Sequence, residues 1–155
     1  MDSSATLPAT LSPERLEVAL AAPGFLPLDE ALALHEAAGS FLAQPDSVGL
    51  GVEIGTYCGK STVFLGAIAQ AHGALLATVD HHRGSEEHQP GWEYHDTSLV
   101  DPHAGTLDTS ARFRQTMFDA DLEQTVVGII AGSTMSARMW GREVDFVFID
   151  GGHSM

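Results

Sequence analysis

The chain has 155 residues, with 21 Asp and Glu against 7 Lys and Arg, a formal charge of −14 and a single cysteine. That length suits one domain that buries its own core, and the lone Cys58 excludes a disulfide within the chain. The acidic balance excludes a surface that coats nucleic acid or an anionic membrane, because both require clustered Lys and Arg.

No apolar run approaches the roughly 20 residues needed to cross a bilayer. The start, MDSSATLPATLS, has no basic region before an apolar core, so it does not read as a secretory signal. The expectation is a cytoplasmic protein in a reducing compartment.

Ser12-Pro13-Glu14 reads as a helix start, with Ser as N-cap and Pro at the first helical position, and Pro23-Gly24 stops that helix. A second helix is predicted from Leu28 to Leu42, with Leu28, Leu32, His35, Gly39 and Leu42 on one face. Residues 1–45 thus form an N-terminal helical segment, closed by Pro45-Asp46. From 46 to 155 the rhythm changes. Four apolar, β-branched runs follow: Val48–Ile54, Ala74–Val79, Thr125–Ile130 and Val144–Ile149. Nearly continuous rather than alternating, they read as parallel strands covered on both faces. Helices are predicted at Ser61–Ala71, Thr109–Asp121 and Ser133–Trp140. Strand–helix alternation implies an α/β fold, a three-layer sandwich with a parallel sheet. Ligands of such sheets bind beyond the carboxyl ends of the strands. Here those ends are Gly55, Asp80, Gly132 and Asp150-Gly151-Gly152.

The first strand runs into Glu53-Ile54-Gly55-Thr56-Tyr57-Cys58-Gly59-Lys60-Ser61. Glycines at a strand-to-helix turn let backbone N–H groups approach an anionic ligand. Gly59-Lys60-Ser61-Thr62 and Val147–Asp150 suggest a nucleoside triphosphate loop. Only three residues separate Gly55 from Gly59, however, one fewer than that loop needs. A dinucleotide fingerprint meets Tyr57 where close pyrophosphate approach wants glycine. S-adenosylmethionine has no pyrophosphate. Its cationic end suits Glu53, directly or through water, and its carboxylate suits the N–H groups of Gly59–Ser61. A glycine-rich turn with no ligand stays open beside these readings.

The run Glu53–Ser61 resembles motif I of class I S-adenosylmethionine-dependent methyltransferases, nearest to the catechol-type and antibiotic-tailoring small O-methyltransferases. The resemblance implies a Rossmann-like sheet of strand order 3-2-1-4-5-7-6. Strands 3-2-1-4 are present over roughly Val48–Ser154, and strands 5-7-6 are missing. It implies methyl transfer to a hydroxyl of a small-molecule acceptor, assisted by a divalent metal. Its implied cofactor residues are Glu53, Gly55, Thr56, Tyr57, Gly59 and Ser61 at the methionine end. Asp80 would bind the ribose with His81 beside it, and Gly132-Ser133 would reach adenine. Ser133 also reads as the N-cap of its helix. Asp150 falls where the family binds Mg²⁺, and His153 where it keeps a base, there usually Lys. An imidazole with an ordinary pKa near 6.5 suits that role at neutral pH. The remaining metal ligands and acceptor contacts of that family lie in its last strands. The expectation is therefore an N-terminal portion with weak or absent turnover and an open strand edge that favours homo-oligomers.

Between Asp80 and Thr109 runs a histidine-rich insert, residues 81–108, too long for an ordinary connection. It reads first as a polar loop packed by Trp92. An acceptor lid, or a metal site built from His81, His82, His88, His95 and His103, are the alternatives.

Overall fold

The computed structural model describes residues 7–44 and 46–152. Helix α1 (Pro13–Ala21) starts as expected, its Ser12 hydroxyl accepting from the Arg15 N–H at 3.3 Å. Helix α2 (Leu28–Leu42) buries Ala31, His35, Ala38, Gly39 and Leu42, whereas Leu28 stays exposed. The expected face thus holds at His35, Gly39 and Leu42, and Ala31 and Ala38 extend it with small residues, which let α2 lie close on the next helix. His35 is held in that interface from both ring nitrogens, by Thr10 Oγ1 and by the Phe64 carbonyl, each at 2.7 Å.

Strand β1 (Leu50–Ile54), helix α3 (Lys60–Ala71) and strand β2 (Leu75–Asp80) form the first crossover. The insert contains 3₁₀ turns at Glu86–His88 and Thr97–Leu99. A small antiparallel ladder of β3 (Val100–Asp101) and β4 (Thr106–Leu107) follows. Then come α4 (Ser110–Asp119), β5 (Val126–Ile130), α5 (Ser133–Met139) and β6 (Phe146–Ile149). The four long strands form one parallel sheet in the order β5-β2-β1-β6. This is the 3-2-1-4 arrangement in a Rossmann-like α/β fold.

Side-chain parity splits the core into layers. On one face Leu76, Phe146 and Phe148 meet Leu42, Leu65 and Ile68 of α2 and α3. A neighbouring cluster joins Ala19 of α1, Ala31 of α2, Phe64 of α3 and Phe113 of α4. The N-terminal helices thus share one core with the sheet-bearing segment. On the other face Leu50, Val52, Ala77 and Val79 pack with Ile129, Trp140 and Val144. Only the short α5 segment covers this side. Cover on both faces therefore holds for β1 and β2 but not for β5 and β6, where Val127 and Val147 are half exposed and Ile149 is 65% exposed. Among the described residues no helix is long and apolar enough to cross a membrane.

Candidate functional site

The turn after β1 is built by hydrogen bonds between three strand ends. The Gly55 N–H donates to Val79 of β2 at 3.0 Å, and the Asp150 N–H donates to Ile54 at 2.8 Å. Gly55 has φ +88°, and a methyl added there would lie 2.5 Å from the Gly151 nitrogen. Only glycine allows that approach and that backbone. Asp80 then organises the loop. Its Oδ2 accepts from the Thr56 and Tyr57 N–H groups and its Oδ1 from the His82 N–H, all at 2.8 Å. Tyr57 and His82 both hold left-handed backbone, at φ 51° and 59°. Such residues cost on the order of 1–3 kcal/mol each, so the carboxylate offsets strain that the turn requires.

Glu53 lies beneath this loop with 0% exposure. The Ser61 hydroxyl donates to its Oε1 and the Thr62 hydroxyl to its Oε2, the latter at 2.6 Å. Burial pushes its carboxyl up to about 7, helped by the nearby Asp150 and Asp80 charges and opposed by the two hydroxyl bonds. Expected at the cationic end of a ligand, Glu53 in fact sits one layer behind Ser61. Gly59, the N-cap of α3, packs toward Phe113 and Met117 of α4 rather than lining the cleft.

Beyond the strand ends opens a cleft of about 460 Å³. Gly55, Thr56, Tyr57 and Ser61 line it from the turn. Asp80 and His81 line it from β2, Gly132 and Ser133 from the β5 end, and Asp150 from the β6 end. The fold thus brings together nearly all the residues singled out in the sequence. His153 lies outside the described residues. Ser133 corrects one reading: Gly132 is the N-cap and Ser133 the first helical residue, with no side-chain cap. Thr56 is only 2% exposed, and its Oγ1 has no hydrogen-bond partner among the described residues. An orphaned buried hydroxyl costs about 1–3 kcal/mol.

The insert contributes more than a polar loop. Gly84, Ser85, Glu87, His88 and Tyr94 all line the cleft. Trp92, the expected packing residue, is 55% exposed and does not anchor it. The anchor is Leu99 and Leu107 against Cys58. Burial pushes the Cys58 thiol up to about 12, so it is no nucleophile. His82, whose protonation burial disfavours, is buried against Thr109 Oγ1 at 2.7 Å. Sequence reasoning missed Phe25 and Lys60, which line the cleft too. For Lys60 the signal was present: it is the only lysine in the chain.

Among the described residues no group of three or more His, Cys, Asp or Glu side chains converges to hold a metal ion. The histidines of the insert therefore do not assemble a metal site among the described residues, and these residues give no support to the implied Mg²⁺ at Asp150.

Residues 52–155 match the family described as Methyltransferase domain, about two thirds of the chain. The chain belongs to that family. Two solved structures share its fold. Cofactor-bound Rv0187 from MTB matches at 19% identity and a TM-score of 0.56, over 88% of this chain and 50% of that one. The SAH-bound Podospora anserina methyltransferase PaMTH1 matches at 15% identity and a TM-score of 0.59, over 94% of this chain and 51% of that one. The chain thus spans about half the length of these neighbours.

Proposed function

We propose that this chain forms the cofactor-binding part of an S-adenosylmethionine-dependent methyltransferase, and that the methyl group passes to a hydroxyl of a small molecule. The cleft beyond the strand ends, walled by Gly55, Tyr57, Ser61, Asp80, Gly132 and Asp150 where a strand-end ligand must sit, carries this reading.

In this reading the methionine end lies over Gly55, Thr56, Tyr57 and Ser61. Glu53, poised near neutrality, ionises as the ammonium and sulfonium arrive, because nearby cations favour a carboxylate. Asp80 has about one of its roughly four lone-pair sites left after accepting three N–H groups, so it takes a single ribose hydroxyl. His81 stands beside it, and Gly132-Ser133 supports the adenine end. Transfer is an in-line displacement. The acceptor oxygen bonds to the methyl carbon, the C–S bond breaks, and its electron pair stays on sulfur. Asp150 borders the cleft where the acceptor's proton must leave, and His153 follows closely in sequence.

Calorimetric titration with S-adenosylhomocysteine tests this. Saturable micromolar binding is expected, with Asp80→Ala weakening it several-fold and ATP with Mg²⁺ giving no heat. Binding of ATP with Mg²⁺ in place of S-adenosylhomocysteine would assign the loop to phosphate instead. Equal binding by Asp80→Ala would remove the ribose assignment.

A further inference from the structure

Lys60 is left unused by the cofactor reading. It is the sole lysine of a chain with formal charge −14, yet it lines the cleft. It is the first residue of α3, where the helix dipole disfavours a cation. Among the described residues it makes no ion pair, the one salt bridge being Arg83 to Asp108 at 3.6 Å. Its stem runs along the α1–α2 connection: a methyl on Gly24 would lie 3.2 Å from its Cβ and 3.6 Å from its Cε.

The residue after Gly24 begins an aromatic wall drawn from three separate segments. Phe25 and Tyr94 meet edge to face at 4.7 Å, Tyr57 and His88 stack at 5.0 Å, and Phe25 lies 6.2 Å from Tyr57. All four rings line the cleft, yet Phe25 remains 64% exposed. The Ser85 N–H donates to His88 Nδ1 at 3.2 Å. With Nδ1 accepting, the ring's N–H donor is Nε2.

We infer that this side of the cleft is an acceptor subsite for a planar phenolic ring that bears a carboxylate, with the Phe25–Tyr94 and Tyr57–His88 wall taking the ring and Lys60 taking the carboxylate. This rests on the methyltransferase reading and deepens it. Rings favour stacked or edge-on partners of the same kind. A lysine near a bound sulfonium repels it unless an anion lies between them, and an anionic acceptor supplies that anion.

The probes are 4-hydroxybenzoate and 4-hydroxybenzamide, which share a ring and differ in charge. Each is titrated by ligand-observed NMR onto the 155-residue chain, alone and saturated with S-adenosylhomocysteine. The benzoate is expected to bind about tenfold more tightly than the amide, as befits a charge-assisted contact. Lys60→Gln should erase that preference, Lys60→Arg should retain it, and Phe25→Ala should weaken both probes. Lys60→Gln should also leave the thermal midpoint unchanged or higher, because it removes a cation from a helix N-terminus. S-adenosylhomocysteine affinity should stay within about twofold in Lys60→Gln, since the cofactor contacts assigned above omit that side chain. Equal binding of the two probes by the parent chain would overturn the proposal. So would a tenfold loss of S-adenosylhomocysteine in Lys60→Gln with probe preference intact, which would give Lys60 to the cofactor's carboxylate. Binding of S-adenosylhomocysteine but of neither probe would overturn the subsite and leave the cofactor reading standing. Probe binding without S-adenosylhomocysteine binding would overturn the cofactor reading and the acceptor role with it, leaving a site for aromatic carboxylates alone.

Discussion

Thr56 and Glu53 are both buried at the turn that follows β1. Thr56 Oγ1 has no hydrogen-bond partner among the described residues. Thr56→Val keeps the shape and removes the orphan, so the ligand-free thermal midpoint should rise by a few degrees, as about 1 kcal/mol does in a domain of this size. Scanning calorimetry reads it; a lower midpoint would mean that the hydroxyl makes a bond the isosteric methyl cannot replace. Burial holds the folded Glu53 carboxyl up at about 7, against an ordinary value of 4.5. The folded state therefore keeps a proton that the unfolded chain has released. Stability contributed by this group is present below about 4.5 and is lost as pH rises to about 7. Glu53→Gln cannot titrate and should be more stable than the parent at pH 8, by on the order of 3 kcal/mol at most, with little difference at pH 4.5. Urea denaturation at the two pH values checks this; parallel profiles would mean that Glu53 is ionised throughout.

At the scale of elements, the β1–α3 turn depends on β6. Gly55 stands against the backbone of Gly151, so a side chain there moves one strand end off the other. Gly55→Ala should destabilise the protein by at least about 2 kcal/mol, from left-handed backbone plus displacement of the β6 end. Thermal denaturation reads it, and an unchanged midpoint would show that the two turns are not coupled. The strands were legible because buried parallel strands spell out β-branched runs, and all four formed within a few residues of their expected bounds. The cleft was legible at Gly55, Asp80, Gly132 and Asp150, each at a strand end where the fold must put it. What the sequence hid is what long-range packing decides. Phe25 meets Tyr94, and Gly24 meets the Lys60 stem, only because the α1–α2 connection and the insert both reach over the β1–α3 turn. Trp92 offered the larger ring, but Leu99 and Leu107 reached Cys58, and burial at that hydrophobic seam fixed the insert. The face of α2 was legible at His35, Gly39 and Leu42, while Leu28 gave way to Ala31 and Ala38 because close helix approach favours small residues.

Across the whole molecule, the two faces of the sheet are unequal. Helices α1 to α4 cover one face, while on the other Val127, Val147 and Ile149 remain open beside Met135 and Met139 of α5. Exposed apolar strand edges favour pairing with another chain. Self-association should therefore grow with concentration in sedimentation velocity, and Ile149→Lys should suppress it without lowering the thermal midpoint. Equal association by parent and variant would direct attention away from this edge. The open face and the cleft are independent features, since the cleft is walled by the loops at the strand ends. The most direct test of the account is amide chemical-shift mapping during titration with S-adenosylhomocysteine. The expected result is a saturable shift of Thr56, Tyr57, Ser61, Asp80, His81 and Ser133, with Val147 and Ile149 of the open edge unmoved. Shifts confined to the open face, or none at the strand ends at millimolar ligand, would contradict it.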